Sequence, residues 1–173
     1  GVETPLAGKK PEDIDFIVVR ENTEDLYCGL GGVFKKGTPD EVAVQTALHT
    51  RKGVERILRY GFEHARARRR HLTMATKSNA QRYAYVLWDE VLEKLRPQYP
   101  DVTTERQHCD ALIMNLVRWP EKFDVIVASN LFGDLLTDLG GVLGGGLGLD
   151  PSTNTNPERK FPSMFQPVHG SPP

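Results

Sequence analysis

Phe123-Asp124-Val125-Ile126-Val127-Ala128-Ser129-Asn130-Leu131-Phe132-Gly133-Asp134-Leu135-Leu136-Thr137-Asp138-Leu139-Gly140 decides the fold. It opens on an apolar run of strand length and continues with helical spacing, with Leu131, Leu135 and Leu139 on one face. A strand running straight into a helix is the unit of an α/β layer. Asp134 and Asp138 stand about one helical turn apart, so two carboxylates share a face and repel. A divalent cation would offset that repulsion, and hard oxygen ligands suit Mg2+ or Mn2+. Taken alone, the pair also reads as a solvated helix face carrying two scattered acids.

The same alternation extends in both directions. Residues 15–19 read as a buried strand, and 41–50 alternate with Val42, Val44, Thr46 and Leu48 on one face. Between them Gly29, Gly31, Gly32 and Gly37 punctuate turns. Val54, Ile57, Leu58, Phe62 and Ala65 recur at helical spacing ahead of a strand over 71–75. Ala84, Leu87, Trp88, Val91, Leu92 and Leu95 mark a second amphipathic helix, stopped by Pro97 and Pro100. A short strand over 102–106, a helix over 110–117, a strand over 123–128 and a helix over 131–143 follow. The pattern predicts α/β layers. The glycine run of 140–148 and a loop over 151–162 mark a boundary, giving segments 1–144 and 145–173.

With 22 basic and 23 acidic residues the chain is near neutral, and 39% apolar content is ordinary for a globular protein. No whole-chain footprint for nucleic acid appears. The basic run from Arg66 to His71 falls at a helix C-terminus, where cations oppose the dipole, and no aromatic residues interleave it. No apolar stretch approaches the roughly 18 residues of a membrane span, and no signal-peptide pattern opens the chain. Two cysteines without metal-ligand spacing argue for a reducing compartment, with the cytoplasm expected; Cys109 reads as core.

Four further blocks accompany the aspartate pair. They are Arg20-Glu21-Asn22-Thr23-Glu24-Asp25-Leu26-Tyr27, Thr76-Lys77-Ser78-Asn79-Ala80, His108-Cys109-Asp110-Ala111-Leu112, and Phe161 to Pro172 with Pro167-Val168-His169-Gly170-Ser171. In this order and spacing the chain resembles the metal- and nicotinamide-dependent decarboxylating dehydrogenases of 2-hydroxy acids, the isocitrate/isopropylmalate dehydrogenase family. The resemblance runs from about Pro5 to Pro172. It implies an α/β fold with a small dimer-forming domain, carrying a β clasp, over 1–144. A returning segment of the large cofactor domain would lie over 145–173. It also implies a central portion of a longer enzyme, because family members are about twice this length and both ends look cut.

The resemblance further implies roles. Lys77 would take the hydroxyl proton, Tyr27 would protonate the enol carbon, and Arg20 would clamp a substrate carboxylate. Asp110, Asp134 and Asp138 would ligate Mg2+ or Mn2+, which acts as a Lewis acid. Asn79 would contact the nicotinamide, and His169, Gly170 and Ser171 would open the adenosine loop. The cofactor would be NAD, or NADP, with K+ as an additional cation. The substrate would be a small malate-type 2-hydroxy acid, with tartrate/D-malate first and isopropylmalate, isocitrate or homoisocitrate as alternatives. A homodimer would share its sites, Lys77 and Asp110 facing Arg20, Tyr27, Asp134 and Asp138 of a second subunit. No nucleic acid or membrane partner is expected.

Singly, each residue has a plainer reading: Lys77 as a surface lysine, Tyr27 as a strand aromatic, Arg20 as a partner of Glu21 or Glu24, Asp110 as a helix cap, His169 as a loop histidine. Their joint spacing favours the functional one. Gln166 stands where the family usually has an acid, and Ser171-Pro172-Pro173 departs from the common Ser-Ala-Pro. A non-catalytic regulatory subunit is the rival of another class, and retention of Lys77, Tyr27 and all three aspartates argues against it.

Overall fold

A computed structural model describes residues 3–146 and 151–167. Its first half comprises β1 (Ile17–Arg20), β2 (Gly31–Phe34), β3 (Val42–Gln45), α1 (Arg51–Ala67), β4 (His71–Thr76) and α2 (Ala84–Leu95). Then come β5 (Thr103–His108), α3 (Cys109–Arg118), β6 (Val125–Ala128), α4 (Asn130–Leu143), β7 (Pro151–Asn154) and β8 (Met164–Pro167). Every helix and strand expected over 15–143 is present, and the strand expected to end at residue 106 continues to His108.

Four strands form one sheet in the order β1-β6-β4-β5, all parallel. Parallel strands need helical crossovers, and those helices cover the sheet. All four residues of β6 are buried, as are the last five of β4, so these central strands read as continuous apolar runs. Val54, Leu58, Phe62 and Ala65 of α1 and Trp88, Leu92 and Leu95 of α2 are buried in the same core. A Cβ on Gly61 would lie 2.3 Å from Val127 Cγ2; glycine is what lets α1 lie this close to the sheet. Cys109 belongs to the core, and burial pushes its thiol up to about 11.

The parallel arrangement sets the site. Arg20 is in register with Ala128, and Thr76 with His108, so all four strands end at one edge. The segments that follow them, from Glu21, Lys77, Cys109 and Ser129, therefore leave the sheet side by side. Ligand sites of open α/β sheets form at such carboxyl ends.

Four local features differ from the sequence pattern. The buried face of α4 carries Phe132, Gly133, Leu136 and Leu143, whereas Leu135, on the leucine face seen in the sequence, is half exposed. β2 and β3 form a separate antiparallel pair whose every residue is exposed, so the apolar face of Val42 and Val44 is uncovered in this chain. Gly31 and Gly32 lie within β2, and a Cβ on Gly31 would lie 2.1 Å from Val44 O. Residues 151–154, read as loop, pair antiparallel with β8, because the pairing is supplied from 164–167 and not by local composition.

Arg66, Arg68 and Arg69 of the basic run are held in ion pairs. Arg66 holds Asp101 at 2.8 Å, and Arg68 holds Asp15 and Asp124, each at 2.7 Å. No helix among the described residues is long and apolar enough to cross a membrane.

Candidate active site

Arg20 is the last residue of β1, and its guanidinium leans across the edge of the sheet onto α4. Nη1 donates to Asp134 Oδ1 at 2.6 Å, while Nε and Nη2 donate to Asn130 Oδ1 at 2.9 and 2.8 Å. Glycine at position 133 permits this approach, since a Cβ there would lie 2.5 Å from Arg20 Cγ and 2.7 Å from its Cβ. Arg20 is thus a partner of α4. Glu21, buried, takes Arg56 at 3.0 Å, and Glu24 accepts from the amide and hydroxyl of Thr50.

Tyr27 sits in a single 3₁₀ turn, Leu26–Cys28, not in a strand. Its hydroxyl donates to Asp134 Oδ2 at 3.0 Å, and its ring lies 5.4 Å from the Arg20 guanidinium carbon. The Asp134 hydrogen bond raises the Tyr27 pKa above its ordinary value, which keeps the phenol protonated. Arg20, Tyr27 and Asp134 therefore form one constellation. Asp138 lies one turn along α4, half-buried and engaged by a neighbour.

Lys77 follows the last residue of β4, and Asp110 lies in the first turn of α3. Lys77 Nζ and Asp110 Oδ1 are 2.8 Å apart, a second constellation. The hydrogen bond from Lys77, helped by the amide of Ala111, holds the Asp110 carboxyl below the usual range. His108, not Asp110, is the N-cap residue of α3. Asn79 is exposed in the turn after Lys77. His169, Gly170 and Ser171 lie outside the described residues.

Among the described residues no three His, Cys, Asp or Glu side chains converge to hold a metal ion. Asp110, Asp134 and Asp138 are therefore not assembled as one ligand set within a single chain. The donor set nonetheless fits a hard divalent cation, because it consists of carboxylate oxygens and Asp134 is already charge-compensated by a guanidinium.

Sequence reasoning passed over Asp25 and His49. Asp25 is buried with φ 70° and ψ −151°, a region occupied almost only by glycine. Backbone bonds with Leu48 hold it there, and Oδ1 and Oδ2 accept from the amides of Leu26 and Leu131 at 2.8 and 2.9 Å. His49 Nε2 lies 3.6 Å from Oδ1, an electrostatic contact longer than a hydrogen bond. Burial raises the Asp25 carboxyl, but His49, Leu131 N–H and Ser129 outweigh it and hold the pKa at about 2. His49 Nδ1 accepts from Trp88 Nε1 at 3.1 Å. The positive φ at a non-glycine residue leaves no periodic trace in a sequence.

Comparison with known proteins identifies the family and the fold. The family model described as isocitrate/isopropylmalate dehydrogenase matches residues 1–173. The chain is 55% identical to D-malate dehydrogenase (decarboxylating) of Escherichia coli, covering 100% of this chain and 48% of that protein. It is 53% identical to 3-isopropylmalate dehydrogenase of Thermobifida fusca, covering 100% and 49% respectively. The crystal structure of isocitrate dehydrogenase from Methylococcus capsulatus superposes with a TM-score of 0.85 at 36% identity, covering 98% of this chain and 49% of that one. The chain spans about half the length of the curated relatives it matches.

Proposed function

The chain belongs to the isocitrate/isopropylmalate dehydrogenase family, and from that premise we propose that it supplies metal, acid and base side chains to an enzyme that oxidises and decarboxylates a malate-type 2-hydroxy acid. D-malate or tartrate is the first substrate, with 3-isopropylmalate, isocitrate and homoisocitrate as alternatives. The convergence of Arg20, Tyr27 and Asp134 from distant parts of the sequence carries this reading.

Asp134 and Asp138, with Asp110 of a second subunit, would hold Mg2+ or Mn2+; Asn79 and the 169–171 segment would hold NAD or NADP. The nicotinamide would accept the hydride from the carbinol carbon, and the divalent ion would neutralise charge gathering on the substrate oxygens. Arg20 binds a substrate carboxylate, to which its planar fork is matched. Lys77 receives the hydroxyl proton as the alcohol becomes a ketone. Loss of CO2 leaves an electron pair on the adjacent carbon, and Tyr27, kept protonated beside Asp134, delivers a proton there.

A homodimer would divide these roles between two chains. Lys77 and Asp110 form one half of the machinery, and Arg20, Tyr27, Asp134 and Asp138 the other. Val33, Phe34, Val42 and Val44 of the β2–β3 pair are exposed, as are Met114 and Val117 of α3 and Leu135 and Val142 of α4. Apolar faces of this kind suit a two-fold partner, which would build two identical composite sites.

Asp134→Asn in the full-length enzyme tests the reading. Turnover and metal affinity should fall together, because a charged ligand is lost. Full D-malate oxidation with unchanged Mn2+ dependence would reject the assignment.

A further inference from the structure

The start of α4 is held, beyond Arg20, by residues that play no part in the chemistry above. Ser129 occupies the N-cap position, where a hydroxyl ordinarily accepts from the second or third amide of its own helix. It makes no such bond; its Oγ lies 2.6 Å from the buried Tyr85 hydroxyl. The amide of Leu131 is satisfied by Asp25 Oδ2, a carboxylate brought in from 106 residues away. Asn130, the first helical residue, is tied to the same loop, donating to Glu24 O at 3.1 Å and accepting from Arg20.

Behind Asp25 the order continues. Trp88 Nε1–H donates to His49 Nδ1, so that nitrogen carries no proton and the ring N–H is at Nε2, 3.6 Å from Asp25 Oδ1. His49 Nε2 has no hydrogen-bond partner. The imidazole and carboxylate side chains are only 2% and 3% exposed, so water does not compete for the contact. The line Trp88, His49, Asp25, Leu131 runs from α2 to the first turn of α4, which carries Asp134 on its next turn.

We infer that Asp25 and His49 are positioning residues that fix the start of α4 and thereby the placement of the Asp134 carboxylate. The inference rests on the proposed function, since it assigns Asp134 to the metal. Asp25 acts through the Leu131 amide and touches neither substrate nor ion. His49 acts through Asp25, in one tautomer selected by Trp88.

The test uses the full-length enzyme, with Mn2+ binding read directly by electron paramagnetic resonance and amide hydrogen exchange read without metal. Asp25→Asn turns an acceptor into a mixed group that cannot satisfy Leu131 and face His49 Nε2–H together. His49→Leu removes the donor and the acceptor for Trp88, whereas His49→Gln can supply both. Asp25→Asn and His49→Leu should each weaken Mn2+ binding about ten-fold and speed exchange locally over residues 129–134. His49→Gln should return to within about two-fold of the parent, on the same scale. Parental Mn2+ affinity in both Asp25→Asn and His49→Leu overturns the inference. So does a loss that His49→Gln fails to restore and that accompanies faster exchange throughout the sheet, because it marks a general structural role. A parent that binds no Mn2+ and oxidises no 2-hydroxy acid overturns the proposed function and this inference with it; parental binding kept by the variants overturns this inference alone.

Discussion

Arg20 Nη1 and Asp134 Oδ1 lie 2.6 Å apart, joining the end of β1 to α4 across 114 positions of sequence. The pair is partly solvent-accessible, so its worth as a stabilising bridge is modest, about 0–1 kcal/mol. Its value is geometric. It sets a guanidinium beside a carboxylate and a phenol at the carboxyl edge of the sheet.

Arg20→Gln should therefore cost substrate binding more than fold. Truncating a charged hydrogen-bonding group costs about 1.5–3 kcal/mol, so KM for the 2-hydroxy acid should rise roughly 10- to 100-fold with a smaller change in kcat. Steady-state kinetics of the full-length enzyme check this, and a parental KM would contradict it.

Gly133→Ala should reproduce part of that defect from the other side of the pair. The new Cβ would collide with the base of the Arg20 side chain, too near the backbone to swing away. Overpacking of this kind costs about 1–3 kcal/mol. A lower urea midpoint together with a raised KM is expected; a variant unchanged in both would show that α4 retreats without consequence.

Lys77→Met should abolish alcohol oxidation, since no other group is assigned to the hydroxyl proton. Tyr27→Phe should keep a rapid hydride burst in stopped-flow traces while steady-state decarboxylation drops about 100-fold or more, because protonation of carbon follows hydride transfer. Parental turnover by Lys77→Met, or loss of the burst in Tyr27→Phe, contradicts the division of roles.

Acid should reveal Asp25. Its folded pKa is depressed from 3.8 to about 2, so the stability it contributes is complete above the unfolded value near 4. That stability is lost as pH falls through about 2. The amount is on the order of 2 kcal/mol. Urea midpoints of parent and Asp25→Asn should differ by a constant amount from pH 7 to about 4, then approach one another toward pH 2. A gap of the same size at pH 2.5 and pH 6 would remove the carboxylate from this role.

Mixed dimers test the composite site. Full-length Lys77→Met and full-length Asp138→Asn chains, each inactive, should recover activity after subunit exchange, because one site of the heterodimer then carries both lesions and the other neither. Inactivity after verified exchange would place each site within one chain.

The layered fold was legible because apolar periodicity records burial against the chain's own sheet: 125–128 and 71–76 read as strands, and α1 and α2 present the expected faces. Periodicity does not record what covers a face. Leu131, Leu135 and Leu139 line up as convincingly as a core stripe, yet Phe132 and Leu136 are the residues that pack inward. Motif spacing singled out Arg20, Tyr27 and Asp134, which the fold brings together, and Lys77 and Asp110, which it pairs. It gave nothing for His49 or Asp25, whose importance comes from a single strained dihedral and a contact with Leu131 that only the folded chain creates.

The strand order also sets a clock. β1 is neighboured in the sheet only by β6, and β6 is the last of the four sheet strands to be made. At the roughly 5–20 residues per second of protein synthesis, Arg20 leaves the ribosome on the order of ten seconds before Asp134. Until then β1 has an unpaired edge and Arg20 lacks its carboxylate. The constellation of Arg20, Tyr27 and Asp134 can therefore close only after the sheet has its last strand, and a nascent or prematurely terminated chain ending before α4 lacks both Asp134 and Asp138.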